Sequence, residues 1–358
     1  MRWHYIVRSL GIMLTTFSVA LVPPIGVALW YNENTVAVFS VAALTTLSTG
    51  LCLWFPLRHR GKEPFAKDGF LIVVLFWLAL CLVGSLPFIL SKDPDMSLVD
   101  SIFESVSGLT ATGATVLTGL DVLPRSILFY RQQLQFLGGM GIILLAIAIL
   151  PTLGVGGMQL FRAEITGPAK DNKLTPRIAH TAKAIWMIYV GLTFFCAVAY
   201  WGAGMELFDA IGYSFGTVST GGYATHDQSI GYFQDPIIQL IAVFFMLLGG
   251  VNFSLHFITM HHATLKHYWH DLEFKSFMFL ILTGTVLVAF TLHNFHMFDN
   301  FSTTLVESLF QVVSLCTTTG FSSTQYSQWP LFAPILLLLL GLIGGCAGSN
   351  SGGIQVVR

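Results

Sequence analysis

The stretches between successive Asp, Glu, Lys and Arg residues leave long uncharged runs at 9–32, 34–57, 69–91, 132–161, 184–205, 236–265, 276–297 and 308–357. At about 1.5 Å per residue, each is long enough to cross about 30 Å of hydrocarbon as a helix. The last run, at 50 residues, is too long for one helix, and its spanning part is expected from about Trp329 to the end. Eight spans put both ends of the chain on one side. The first run follows Arg2 and Arg8 as a signal peptide would. Its length, Pro23-Pro24 and the lack of a small-residue cleavage site favour an uncleaved helix.

Composition agrees with the pattern. The 358 residues are 54% hydrophobic and 10% charged, against about 25% charged in an ordinary soluble domain, and the mean hydropathy is +0.73. The chain reads as an all-α integral membrane protein. A net charge of −1 with no polybasic block gives no reason to expect nucleic acid. Cys52, Cys81, Cys196, Cys316 and Cys346 stand singly in apolar stretches with no C-x-x-C pair, and are expected to be buried packing residues.

Fourteen of the 17 basic residues fall on one side of the predicted spans, and only Lys92, Arg125 and Arg131 on the other. The basic side is cytoplasmic by the positive-inside rule, so both termini are expected there. Twelve of the 18 acids, among them Glu33, Asp100, Glu104, Asp209, Asp235 and Glu307, fall outside. Such a face concentrates cations, although ordinary solvated loops account equally well for any single acid.

Three outer segments align on one glycine: Asp100 to Gly113, Asp209 to Gly222 and Glu307 to Gly320, with an acid thirteen residues before the glycine in each. A glycine pair follows 24 to 27 residues later, at Gly138-Gly139, Gly249-Gly250 and Gly344-Gly345. The unit is span, short outer segment, span, repeated about every hundred residues. The uncharged part of the first outer segment, 105–120, would reach about 24 Å as a helix, short of a crossing. It is expected to be a re-entrant half-helix that returns through extended chain. Non-helical backbone at membrane depth is tolerated only where it is buried in protein or lines water. Several copies around an axis would present carbonyls that replace the hydration shell of a cation. Asp100, Asp209 and Glu307 then sit at the pore-helix N-termini, either complementing the helix dipole and capping N–H groups or attracting ions directly.

The segments Thr110-Ala111-Thr112-Gly113-Ala114-Thr115, Ser219-Thr220-Gly221-Gly222-Tyr223-Ala224-Thr225 and Thr317-Thr318-Thr319-Gly320-Phe321-Ser322, with the stretch 129–143, resemble the pore subunits of bacterial Trk-type potassium uptake systems in the Trk/Ktr/HKT superfamily. The resemblance covers essentially the whole chain. It implies two leading helices followed by helix–pore-loop–helix repeats, a bacterial inner-membrane location, a homodimer, and a cytosolic nucleotide-binding (RCK-type) partner such as TrkA. Nucleotide would enter only through that partner, and no covalent cofactor is implied. By position it implies filter carbonyls from Ala111, Thr112 and Gly113, from Thr220, Gly221 and Gly222, and from Thr318, Thr319 and Gly320. In plant relatives a serine at the first glycine position accompanies sodium transport, so glycine at all three positions favours potassium. The implied divisions are a hairpin at 1–67 and pore repeats at 68–160, 161–270 and 271–358. The family pattern has four repeats, so the sequence predicts a chain lacking the fourth, either a fragment or a short form that serves as a non-conducting or assembly subunit.

Ten small residues, Gly344-Gly345-Cys346-Ala347-Gly348-Ser349-Asn350-Ser351-Gly352-Gly353, interrupt the last span and predict a break at mid-membrane. A close helix seam is the plain alternative, and the resemblance implies a gating loop under the filter. His261, His262, His267 and His270 gather with Asp271 and Glu273 near a cytoplasmic loop, where a solvated helix end is a better expectation than zinc. Arg131 is either functional or snorkelling. Arg162, Lys170, Lys173, Arg177 and Lys183 set topology and are available to anionic lipid or the regulatory partner. An intramembrane hydrolase using Ser349 or Ser351 with His256 is the rival from another class. Gly348-Ser349-Asn350-Ser351-Gly352 puts asparagine where the nucleophile elbow needs serine, so no enzyme is expected. The expected function is potassium uptake, for which membrane potential alone supplies about 2.3 kcal/mol per charge per 100 mV. Coupling to protons or sodium stays open.

Overall fold

A computed structural model describes residues 3–58, 66–141, 175–330 and 332–357, with only the backbone described at 66–70 and 175–181. Among the described residues it is all-helical, with no strand. Two compact units separate. One lies within Met1–Thr110 and Ala114–Lys183, and the other comprises Ala184–Arg358 together with Ala111–Gly113.

The first unit begins with α1 (Trp3–Ala20) and α2 (Val22–Trp30), which form one 28-residue apolar span. Pro23 and Pro24 fall at the start of α2, where no intrahelical N–H is lost. Then come α3 (Val36–Trp54), α4 (Ala66–Gly84), α5 (Leu86–Leu90), α6 (Leu98–Leu109) and α7 (Arg125–Gly139). In hydrocarbon, apolar side chains give helices no reason to leave lipid, so association rests on close packing at small residues. α1 and α3 meet at reciprocal glycines: a Cβ on Gly11 would stand 2.6 Å from the Trp54 nitrogen, and one on Gly50 would stand 2.6 Å from the Thr15 nitrogen. Phe39, Phe88, Leu109, Ile127, Tyr130 and Leu134 fill the buried core. Glu33 caps α7 from a distance, accepting from the N–H of Arg125 (2.6 Å) and of Ser126 (3.1 Å), as an acid at a helix N-terminus should.

The second unit takes α8 (Thr175–Gly202) from Ala184 onward, and holds α9 (Leu207–Val218), α10 (Pro236–Gly250), α11 (Phe253–His261), α12 (Lys266–His270), α13 (Leu272–Asn294), α14 (Phe301–Cys316) and α15 (Ala333–Ile343). Phe279, Leu282, Val286 and Phe290 on α13 are exposed along one face. Such a stripe is untenable in water and ordinary against lipid tails.

Among the described residues five helices are long and apolar enough to cross a membrane, or six if a bent pair counts as one. The expected runs at 9–32, 34–57, 69–91, 184–205 and 276–297 correspond to these five. The run 236–265 differs: α10 and α11 meet at 93°. Val251 is extended and the Asn252 side chain caps α11 by accepting from the Ser254 N–H (2.8 Å), so one helix ends and another starts. The final run differs too, since α15 has only 11 residues, about 16 Å, and Gly344 to Gln355 is loop. The end of the 132–161 run, with Arg162, Lys170 and Lys173, lies outside the described residues, as do Arg60 and Lys62. Cys52 is exposed on α3, unlike the other four cysteines, because it faces away from the α1 contact at Gly50.

The first two glycine pairs mark where the helix after the outer segment crosses the preceding short helix, whereas the third pair, Gly344-Gly345, opens the loop. A Cβ on Gly138 would stand 2.1 Å from the Leu109 carbonyl oxygen, and one on Gly249 would stand 2.9 Å from that of Val218. Replacing Gly138 by alanine should therefore lower the unfolding temperature in detergent, at a cost of about 1–3 kcal/mol for an overpacked contact. Alanine at Gly191, whose Cβ would meet nothing within 4 Å, should leave it unchanged.

Candidate functional site

The three glycine-centred segments have the same backbone. Ala111, Thr220 and Thr318 take left-handed φ of 51°, 52° and 57°, and Gly113, Gly222 and Gly320, two residues later, take 78°, 76° and 81°. Non-glycine residues in that region cost of order 1–3 kcal/mol each and persist only where the surroundings impose them. Here the imposing element is the end of the short helix. In the second segment the Thr220 N–H donates to the Thr217 carbonyl, and the Gly221 and Gly222 N–H groups both donate to Gly216. In the third, Thr318 donates to Leu315, and Thr319 and Gly320 both donate to Ser314. These are Schellman closures with threonine where glycine is customary. The last helical carbonyls are satisfied and the chain leaves the helix at a fixed angle.

Ala111–Gly113 belongs to the same compact unit as the other two segments. Within that unit the approach is tight: a Cβ on Gly222 would stand 1.9 Å from the Thr319 carbonyl oxygen. No side chain fits there, and the left-handed φ independently calls for glycine.

Behind each segment a carboxylate of the short helix grips the chain just after the glycine. Glu104 accepts from the Thr115 hydroxyl (2.9 Å) and the Val116 N–H (3.3 Å), and pairs with the Arg131 Nε at 2.6 Å. The Arg131 Nη2 also reaches the Thr115 hydroxyl. Asp209 accepts from the Thr225 hydroxyl (2.7 Å) and lies 3.4 Å from the His226 ring. Glu307 accepts from the Gln239 amide (3.0 Å) and from the Ser323 hydroxyl.

These contacts revise the acids picked out by alignment. Asp100 is in the first turn of α6, in a reciprocal cap with Ser97. Asp209 is also in a first turn, yet its buried carboxylate faces the returning chain. Glu307 is the seventh residue of α14 and not at its N-terminus, because the third short helix starts a turn earlier. In the first repeat the gripping acid is Glu104, one turn beyond Asp100 on the same face. Alignment at position −13 does not single it out, because it stands nine residues before Gly113. A hydroxyl two or three residues after each glycine (Thr115, Thr225, Ser323) was the available signal. Arg131 is fully buried and does not snorkel.

The small-residue break is a loop packed against the same elements. Cys346 N–H donates to the Gly250 carbonyl (2.9 Å) and Asn350 N–H to that of Gly249 (3.2 Å), both at the α10–α11 elbow. The Asn350 amide donates to the Val218 carbonyl (2.9 Å), at the end of the second short helix. Gly352 N–H donates to the Thr318 hydroxyl (2.8 Å), which also meets Ser351. Gly345 N–H donates to the Ser351 hydroxyl, and Gly348 accepts from Phe253 N–H. The carboxylate of Glu273, at the start of α13, accepts from Ala347 N–H at 2.6 Å. Glu273 is thus a tether for the loop, a role invisible in a histidine-rich sequence context.

Among the described residues no group of three or more His, Cys, Asp or Glu could hold a metal ion. His261 stacks on Phe257 and His262 lies beside His267. The hydrolase geometry is not present: the Nδ1 of His256 meets the Tyr268 hydroxyl and its Nε2 the Leu248 carbonyl, while the Ser349 hydroxyl donates to Cys346.

With this geometry in hand, comparison with known proteins is specific. The family described as "TrkH: Cation transport protein" matches residues 36–358. The Trk system potassium uptake protein TrkH of Salmonella typhimurium is 51% identical over all 358 residues, which cover 74% of its length. The Trk system potassium uptake protein TrkG of Escherichia coli K12 is 38% identical over 348 residues, covering 97% of this chain and 72% of that one. The crystal structure of the potassium transporter TrkH from Vibrio parahaemolyticus matches with a TM-score of 0.89 at 47% identity, over 100% of this chain and 74% of that one.

The Glu104–Arg131 pair generates a test of its own. Arg131→Met strands a buried carboxylate and should cost about 3–5 kcal/mol of stability. The double variant Glu104→Met with Arg131→Met should recover a substantial part of the loss, as read by thermal unfolding in detergent.

Proposed function

We propose, on the premise that the chain belongs to the TrkH family of cation transport proteins, that its three glycine segments are the walls of a potassium filter. The chain is a potassium uptake protein of the membrane, a transporter and not an enzyme, and potassium is the transported ion. The observation that carries the filter reading is the shared backbone: left-handed at Ala111, Thr220 and Thr318, and again at Gly113, Gly222 and Gly320. Alternating hand along a short segment turns successive carbonyls to one side, where they replace an ion's hydration shell. On this reading Ala111, Thr112, Gly113, Thr220, Gly221, Gly222, Thr318, Thr319 and Gly320 supply the oxygens. The repeats run over 68–160, 161–270 and 271–358 after a hairpin at 1–67, and a fourth segment of the same kind closes the ring. Both termini are cytoplasmic, in a bacterial inner membrane, and the chain works as a homodimer with a cytosolic nucleotide-binding subunit of the TrkA kind.

The loop from Gly344 to Gly353 is read as the gate. It touches the Val218 carbonyl through Asn350 and the Thr318 side chain through Ser351 and Gly352. Its attachments are hydrogen bonds, each worth about 0.5–1.5 kcal/mol net where the freed groups regain water, so it opens only as water reaches them.

The test is rubidium uptake and growth at low potassium in a bacterial strain without its own importers. This chain is compared with the same chain extended by the remaining portion of the Vibrio relative. Uptake by either form supports the reading, and saturable uptake by neither overturns it. In the form that transports, Gly222→Ala should reduce uptake at least tenfold, because its Cβ would collide with the Thr319 carbonyl. Asn350→Ala should raise uptake severalfold in a strain without the cytosolic partner, and unchanged flux would remove the gate role.

A further inference from the structure

A filter of backbone carbonyls selects by the number and placement of its oxygens, so whatever fixes the chain behind the filter also fixes the selection. We propose that Glu104, Asp209 and Glu307 are positioning residues for ion selection, each locking the chain that leaves a filter glycine. The inference rests on the filter reading above and goes beyond it by naming what holds the filter's register.

Three independent copies of one arrangement carry it. The acids come from equivalent faces of the short helices, thirteen or nine residues before the glycine, and all three are buried. Their partners lie two to four residues after the glycine: Thr115 and Val116, Thr225 and His226, and Ser323. The chain is therefore fixed after each filter glycine by the carboxylate, and in the second and third copies also before it by the Schellman closure. Alignment alone left a helix-dipole role open for Asp209 and Glu307. Glu307 is too far into α14 for that role, and Asp209 spends its carboxylate on the returning chain.

The second and third copies carry extra ties. Gln311, one turn on from Glu307, donates to the Ser323 hydroxyl (3.1 Å). Tyr213, one turn on from Asp209, donates to the Ser229 carbonyl (3.0 Å), and Gly231 N–H donates to the Ser322 carbonyl (3.1 Å). A hydroxyl gripped by both a carboxylate and an amide has no freedom to let the filter widen or narrow.

Placement and charge make different predictions. Glu307 has neutral partners, Gln239 and Ser323, so a carboxylate acting only through its field would not need the Ser323 hydroxyl. The experiment uses the uptake-competent form and measures potassium uptake against increasing sodium. Ser323→Ala and Thr225→Val leave every carboxylate in place and should lower discrimination between potassium and sodium at least tenfold. Glu307→Gln should do the same, whereas Ser323→Thr should retain discrimination and Asp235→Asn, in an acid that caps α10, should not alter it. Should Glu307→Gln fail to reach the membrane, the two hydroxyl variants carry the test. Full discrimination in both hydroxyl variants overturns the inference while leaving the filter reading intact. Absence of potassium selectivity in the unsubstituted protein overturns the filter reading itself, and the inference with it.

Discussion

A peptide group removed from water needs a partner, and a lipid tail cannot be one. The irregular features around the glycine segments and the small-residue loop answer to that constraint. The short helices end among apolar spans, where four carbonyls would be orphaned. Schellman closures draw the next N–H groups onto them in the second and third repeats, and in doing so force Thr220 and Thr318 into a left-handed conformation. The strain is local and the benefit is shared. The same turn that satisfies the helix end also sets the direction of the segment read as the filter.

Much of this was legible in the sequence because it depends on backbone geometry, which glycine and small polar residues report directly. Aligning the three segments on Gly113, Gly222 and Gly320 located positions that prove to share φ to within a few degrees. The cluster of small residues after Ile343 likewise marked the end of a helix. What stayed hidden has physical causes. The elbow at Val251 lies inside a run with no charge at all, and hydropathy measures the company a residue keeps, not the direction of the chain. Glu307 was misplaced because alignment on the glycine fixes the C-terminal end of a helix while its N-terminal end varies. Buried pairs such as Glu104 with Arg131 depend on residues 27 apart, and spacing of that kind leaves no periodic trace.

The glycine pairs show how one repeat pattern yields two outcomes. In the first repeat Gly138 lets α7 cross the end of α6 and is followed closely by Gly139, the last residue of that helix. In the second, Gly249 serves the crossing, and the helix then breaks at once into the α10–α11 elbow. In the third, the small residue nearest the Leu315 carbonyl is Gly341, where a Cβ would stand 3.3 Å away. That leaves Gly344 free to turn with a left-handed φ of 77° and open the loop.

The two breaks then satisfy each other. The elbow exposes the carbonyls of Gly249 and Gly250, and the loop supplies the N–H groups of Asn350 and Cys346. The elbow also frees the N–H of Phe253, and the loop returns the carbonyl of Gly348. Neither irregularity could stand alone in an apolar setting, because each would hold unpaired peptide groups at several kcal/mol apiece. Together they satisfy these groups, and the loop gains further partners in Val218, Thr318 and Glu273. A loop held this way cannot drift open one bond at a time without stranding its partner's peptide groups. The elbow, the loop and the start of α13 are therefore one hydrogen-bonded unit, and a substitution in any of them bears on the other two.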